Sequence, residues 1–287
     1  MIVETINPGV VAVRGLVEDY VRQYPDFADA LRMYGAIMEA QQSALDSISC
    51  PLDPLELEEL ETRLAAGRPI LDPGELEIDG AELRALVGQI CRAVDDMKPG
   101  GFPYRAELTA WEGLSDDRLS RTRDIVLSGG DLDFEPSSAL SEVDLELVRN
   151  ILWEGFAPFY RKSASVLAPA MDQSLWQRGS CPVCGGAPLV GMFRQEDGLW
   201  VVECSLCHTL WNVQRASCPF CDGSQGSLEF LYLMEDKSRR VNYCKVCKRY
   251  VKTVDLRNSE KDALLPLEDI VTVQLDLAAR QEGLNNP

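Results

Sequence analysis

Cys181-Pro-Val-Cys184, Cys204-Ser-Leu-Cys207, Cys218-Pro-Phe-Cys221 and Cys244-Lys-Val-Cys247 decide how the last third of this chain folds. Nineteen residues lie between the first two units, ten between the second and third, and twenty-two between the last two. A ribbon-type or rubredoxin-like site needs two CxxC units, each presenting both sulfurs from one tight turn, brought together by a β-hairpin. Pairing neighbours therefore predicts two sites, Cys181/Cys184/Cys204/Cys207 and Cys218/Cys221/Cys244/Cys247.

Hairpins are readable inside both long spacers. Leu189–Phe193 and Leu199–Glu203 flank the turn Gln195–Gly198, and Leu228–Met234 and Arg240–Tyr243 flank Glu235–Ser238. After the second CxxC of each half come aromatic and branched residues, Leu210, Trp211 and Val213 in one and Tyr250, Val251 and Val254 in the other. This internal repeat favours pairing neighbours over interleaving them.

Thiolates in a tetrahedral four-sulfur cage suit zinc or iron. The CxxC interval lets the backbone turn around the ion and point N–H groups at the sulfurs. Gly185 after Cys184 suits that turn, and Gly223 serves after Cys221; His208 and Lys248 hold the equivalent places in the other two knuckles. Four cysteines per ion leave no open coordination position, which argues against hydrolytic metal chemistry. His208 is the sole histidine and no nucleophile–base pair is visible, so the chain reads as non-enzymatic. Cys50 and Cys91 stand apart from the array and read as buried thiols.

The front of the chain has helical periodicity. Asn7-Pro8 opens a stripe of Val10, Val13, Leu16, Val17, Tyr20 and Val21, and Pro25-Asp26 opens another from Phe27 to Ile48. Asp53-Pro54 starts a third helix stopping at Gly67, with Arg68–Gly74 a turn-rich connection. Asp79-Gly80 leads into Leu83–Val94, which ends before Pro99-Gly100-Gly101. Ser115-Asp116-Asp117 caps a short helix broken at Gly129-Gly130, and Ser141 begins a long one bent near Pro158. A closing helix is expected over Leu264–Leu284. The fold class is thus α+β and multidomain. Residues 1–175 form an all-α helical domain, 176–215 and 216–257 two tandem rubredoxin-like or zinc-ribbon modules, and 258–287 a C-terminal helix and tail.

Of 287 residues, 28 are Lys or Arg and 46 Asp or Glu, a formal charge of −18. Residues 1–178 carry 16 basic and 32 acidic side chains, a formal −16, and residues 179–287 carry 12 and 14, a formal −2. Such a surface repels a phosphate backbone. One local exception is Lys237, Arg239, Arg240, Lys245, Lys248, Arg249 and Lys252 around the second site, read either as compensation for the anionic cage or as a docking patch. No basic start followed by an apolar run and no bilayer-length apolar stretch is present, so a soluble protein of a reducing compartment, the cytoplasm, is expected.

Trp176-x-x-Gly-x-Cys-Pro-Val-Cys-Gly-Gly-x-Pro188, with Cys204-x-x-Cys207, Trp211, Arg215 and the second pair of CxxC units, carries a resemblance. So do Arg249-Tyr-Val-Lys252 and the ending Leu267-Glu-Asp-Ile…Leu275-Asp-Leu…Gln281-Glu-Gly. Together they resemble the formate dehydrogenase accessory protein family, FdhE type, over roughly Trp176 to Pro287. The resemblance implies a cytoplasmic protein that binds the catalytic subunit of a molybdenum- or tungsten-dependent formate dehydrogenase and supports its maturation. It implies two metal ions, iron or zinc, on the eight CxxC cysteines. A tandem zinc-ribbon nucleic-acid binder and a rubredoxin-like electron carrier are the alternatives.

Overall fold

The computed structural model describes residues 10–49, 57–97, 114–132, 142–176, 178–214, 218–221, 226–233, 236–259 and 263–285. Asn7-Pro8, Cys50, Asp53-Pro54, Pro99-Gly100-Gly101, Ser141, Arg215 and Gly223 lie outside them. The described residues group into two compact units: those within 10–49 and 73–163, and those within 57–72 and 164–285.

The first unit is helical. Helices α1 (Val10–Gln23), α2 (Ala28–Leu45), α4 (Gly80–Met97), α5 (Asp116–Ser128) and most of α6 (Glu142–Leu167) follow the periodicity of the sequence. Val13, Val17, Leu31, Met38, Leu83, Leu86, Ile90 and Phe156 are buried, as single apolar stripes require. Ser115 precedes α5, and Gly129, at φ 71°, closes it with its N–H on the Ile125 and Val126 carbonyls. Pro158 lies inside α6. It has no N–H to donate, so the Glu154 carbonyl loses its helical partner. The buried Gln41 side chain replaces that donor, 2.8 Å from the Glu154 oxygen. Cys91 is buried in α4, and burial pushes its thiol up to about 11, which suits an inert core group.

The second unit is built on one six-stranded sheet with the order β3-β2-β1-β6-β5-β4. Its strands are β1 (Pro188–Phe193), β2 (Trp200–Cys204), β3 (Leu210–Asn212), β4 (Leu228–Leu233), β5 (Asp236–Cys244) and β6 (Tyr250–Asp255). The two expected hairpins are β1–β2 and β4–β5, both antiparallel. The modules do not stand apart. The first strand of one pairs in parallel with the last strand of the other, Gly191 opposite Thr253 and Phe193 opposite Asp255. An isolated hairpin is marginal in water, and this pairing gives each ribbon a wider sheet to belong to.

Alternation places Met192, Val201, Val254, Lys252, Arg239, Val241 and Tyr250 on one face of that sheet. Two short helices cover it, α7 (Leu265–Val271) and α8 (Val273–Gln281). Leu265 packs with Val190, Met192, Val201 and Val254, while Leu275 and Ala279 pack with Val241 and Tyr250. A single closing helix was expected; the structure breaks it at Thr272. The Thr272 hydroxyl donates to the Glu268 carbonyl at 2.6 Å, the kind of local bond that competes with a straight helix.

Polar anchors fix these helices. Arg239 makes a two-pronged pair with Glu268, at 2.7 and 3.0 Å. Buried Lys252 reaches Asp269 at 2.7 Å and Asp276 at 2.6 Å, and the Tyr250 hydroxyl donates to Asp276 at 2.7 Å. At the other end of the sheet the Gln173 side-chain oxygen accepts from the Asn212 backbone and side chain, which covers edge strand β3.

Helix α3 (Leu57–Ala65) belongs to this unit, and Gly67, at φ 68°, ends it. The segment after it does more than connect. The Ile70 and Leu71 N–H groups donate to the carbonyls of Pro182 and Val183, at 3.0 and 2.8 Å, so residues 69–71 lie along the first cysteine turn.

Candidate metal centres

The three CxxC turns whose closing residue is described share one backbone. The N–H of the residue after the second cysteine donates to the carbonyl of the first: Gly185 to Cys181, His208 to Cys204 and Lys248 to Cys244. The N–H of the first cysteine in turn donates to the carbonyl five residues on, Cys181 to Gly186, Cys204 to Thr209 and Cys244 to Arg249. The turn closes only if the residue after the CxxC takes a left-handed conformation. Gly185, His208 and Lys248 all do, at φ 75°, 56° and 61°. Inside the turns the Leu206, Phe220 and Val246 N–H groups point at the sulfurs of Cys204, Cys218 and Cys244, at 3.3 to 3.4 Å. Such donors stabilise thiolate and orient the ligand.

Each pair of turns brings four sulfurs together. The two groups are the ones read from the spacing, Cys181, Cys184, Cys204, Cys207 and Cys218, Cys221, Cys244, Cys247, with all four sulfurs of each within 4.8 Å of one another. In the first the closest approaches are 3.4 to 3.5 Å, and in the second 3.6 and 3.8 Å. A disulfide needs about 2.05 Å. A tetrahedral ion with metal–sulfur bonds of about 2.3 Å spaces its ligands about 3.8 Å apart. The donor set and its spacing fit a four-sulfur ion, zinc or iron, in each cluster.

The sulfurs already behave as one group. Hydrogen bonds to Cys181, Cys204 and Cys207, then burial, push the Cys184 thiol well above its usual range, and burial leads the same shift in Cys204. Burial opposes the Cys207 thiolate, but bonds from the other three cysteines and Thr209 hold it well below. In the second cluster burial pushes Cys218 up. Cys244 comes down to about 6, its burial outweighed by the Cys247 and Val246 backbone N–H groups. An ion loading such a cluster displaces protons, so loading weakens as pH falls.

The clusters differ in access. Cys181, Cys184, Cys204 and Cys207 are 0 to 1% exposed, whereas Cys221 and Cys247 of the second are only half-buried. Gly186 belongs to the first cage, since a Cβ there would sit 2.9 Å from the Cys204 sulfur.

His208 enters neither cage. Its Nδ1 meets Glu203 Oε1 at 2.5 Å, both side chains being buried. The Lys248 side chain, in the same backbone conformation, is exposed. Opposite outcomes are therefore expected from one substitution. Lys248→Gly relieves a left-handed L-residue and should leave stability unchanged or raise it by up to about 1 kcal/mol. His208→Gly strands the Glu203 carboxylate and should cost about 1–3 kcal/mol despite the same relief. Thermal denaturation of the two metal-loaded variants measures both signs.

The basic cluster around the second site disperses on folding. Arg239 and Lys252 are committed to α7 and α8, and Lys245 pairs with Glu229 at 2.9 Å. Arg240 is stacked 4.4 Å from the rings of both Phe193 and Phe230. Lys237, Lys248 and Arg249 keep exposed side chains. Most of the cluster is thus internal bonding, which no count of charges along the sequence could reveal.

A helical unit joined in one chain to a fused pair of four-cysteine ribbons, each able to hold a metal ion, defines the class of protein. The family model for the FdhE central domain matches residues 180–215, which contain the whole first cluster. A protein FdhE homolog of Aquifex aeolicus is 25% identical over 91% of this chain and 87% of its own length. Another, from Pseudomonas aeruginosa, is 27% identical over 89% and 80%. The crystal structure of the FdhE protein from Pseudomonas aeruginosa superposes with a TM-score of 0.67 at 23% identity, covering 99% of this chain and 95% of that one. The chain is thus similar to FdhE proteins along most of its length, and its first cluster lies inside the stretch that matches the FdhE central domain.

Proposed function

We propose that this protein is a cytoplasmic, non-catalytic accessory factor. It binds the catalytic subunit of a molybdenum- or tungsten-dependent formate dehydrogenase and supports its maturation. The observation that carries this reading is the fused pair of closed four-sulfur clusters in a chain similar to FdhE proteins. Cys181, Cys184, Cys204 and Cys207 hold one ion, and Cys218, Cys221, Cys244 and Cys247 the other. Four thiolates saturate a tetrahedral ion, so each metal serves to fold and stiffen a recognition surface. Iron in the same cages would add a one-electron couple. Among the described residues no helix is long and apolar enough to cross a membrane.

The test is affinity capture from an anaerobically grown host after nuclease treatment, with the captured proteins identified by mass spectrometry. A formate dehydrogenase catalytic subunit should be recovered with the native chain and lost with Cys181→Ala. Recovery of nucleic-acid-binding machinery with no dehydrogenase would overturn the proposal in favour of a ribbon that binds nucleic acid. So would undiminished client capture by a variant shown to be metal-free, at least for the role of the clusters.

A further inference from the structure

The second unit contains a cleft of about 790 Å³ whose lining joins the two ribbons to the end of α3. Leu175 and Phe220 supply apolar surface, Cys218 and Cys221 bring the second cluster to the wall, and Arg178 and Arg249 supply the charge. No aspartate or glutamate is among the described residues that line it. That is unexpected in a chain with 46 acidic side chains.

Several arginines elsewhere in the fold are already neutralised. Arg14, Arg32, Arg84, Arg194, Arg239 and Arg257 each hold a carboxylate. Arg178 and Arg249 are exposed, and among the described residues neither has an ion-pair or hydrogen-bonded partner for its side chain. The placement is nevertheless constrained. The Arg178 guanidinium packs over Gly67, where any Cβ would collide with it, and its carbonyl accepts from the Trp211 indole at 3.2 Å. Arg249 lies 5.8 Å from the Phe220 ring centre and is held in the fourth turn, its carbonyl bound to the Cys244 N–H. Phe220 in turn packs on Gly179, whose N–H donates to the Pro219 carbonyl at 2.9 Å. Two planar forks beside an aromatic ring and Leu175, with no carboxylate among the described lining residues, form a receptor for carboxylates carried on an extended chain.

We propose that this cleft binds an acidic peptide segment of a partner protein, with Arg178 and Arg249 taking its carboxylates and Phe220 and Leu175 its apolar side chains. The assignment rests on the reading that the protein recognises a client, and it names the chemistry of the segment recognised. A role limited to balancing the anionic second cage is the competing account, and it predicts a different result.

The probe is a fluorescein-labelled decapeptide alternating glutamate and leucine, titrated by polarisation into the full-length, metal-loaded protein, with the glutamine counterpart as control. Binding in the micromolar range is expected for the glutamate peptide alone. Joint Arg178→Gln and Arg249→Gln substitution should weaken it about tenfold or more, with both metal ions retained, whereas Arg194→Gln should change nothing. Equal binding of the two peptides, or full binding by the double variant, overturns the proposal. Loss of metal from the double variant with peptide affinity intact makes the arginines cage counter-charges. Displacement of the peptide by single-stranded RNA at lower concentration than by unlabelled peptide also overturns it. Client capture by the double variant separates the two levels: peptide affinity lost but client retained removes the cleft from recognition and leaves the accessory reading in place.

Discussion

Chelator added to the metal-loaded protein is expected to remove its two ions in separate steps, the ion of the Cys218 cluster leaving first. The reason is geometric. A chelator must reach the ion or its sulfurs, and the first cluster offers no route in the folded state, with all four cysteines 0 to 1% exposed. Residues 69–71 are hydrogen-bonded along its first turn, and the Thr209 hydroxyl stands 3.0 Å from Cys207 Sγ. Loss from that cage requires local opening of the sheet. In the second cluster Cys221 and Cys247 are half-buried, and Cys218 and Cys221 line an open cleft. Exchange through an accessible edge needs little opening, so its rate should exceed that of the buried cage by about tenfold or more.

Stopped-flow release into a colorimetric chelator gives the two amplitudes, each equal to one ion. Joint Cys218→Ser and Cys221→Ser substitution should abolish the fast phase and leave the slow one. Loss of the second ion should then unfold the ribbon unit, because a structural four-sulfur site is worth on the order of 10 kcal/mol. A single phase releasing both ions, or a fast phase that survives in the double variant, would show that exposure does not set the order. Lower pH should speed both phases, since each departing thiolate is captured by a proton.

The clusters were legible because a CxxC turn carries its information locally. Two sulfurs at fixed spacing and a left-handed position after them are properties of five consecutive residues, and the spacer lengths then dictate the partners. His208 and Lys248 could even be picked out as the strained positions, because they stand where Gly185 stands in the first turn. The helices of the first unit were legible for the same reason, as apolar residues at a period of 3.6.

Contacts made by backbone, or across long separations, left no such trace. The parallel pairing of β1 with β6 joins strands about sixty residues apart, and alternation says which face a residue takes but not which strand lies alongside. The support that residues 70 and 71 give to the first turn runs entirely through main-chain groups, which every residue possesses. Thr272 looked like one polar residue on a helix and proved to be the break between two, because its hydroxyl found the Glu268 carbonyl. The signature Arg249-Tyr-Val-Lys252 was readable as a pattern, but its meaning needed α8. Tyr250 and Lys252 converge on Asp276, and that carboxylate is the partner their spacing serves.

Lys252→Met is accordingly the substitution outside the clusters expected to cost most. The Lys252 side chain is 3% exposed, and both of its carboxylate partners lie on the helices that cover the sheet. Removing the ammonium while keeping its stem leaves Asp269 and Asp276 facing each other without a cation. Stranding one side of a buried ion pair costs about 3–5 kcal/mol. The lower end is expected, because the Asp269 side chain is 35% exposed and water can take part of its charge. For a unit of this size about 3 kcal/mol is a fall of roughly 6–12 °C in Tm.

The pH dependence distinguishes this cause from lost packing. Burial already raises Asp269 above the usual carboxylate range, with Lys252 pulling the other way. Without Lys252 it rises further, so the folded variant binds more protons than the unfolded chain, and its stability falls as pH increases through that range. The gap between native chain and variant should therefore be widest at neutral pH and narrow in acid. Replacing both carboxylates as well, by Asp269→Asn and Asp276→Asn, should recover most of the loss and flatten the pH profile, with the Tyr250 hydroxyl still able to donate to position 276. A deficit that is constant with pH, or that persists in the triple variant, would show that stranded charge is not its cause and would assign it to altered packing at position 252. The Lys252–Asp276 pair would then be incidental to how α8 is held on the ribbons.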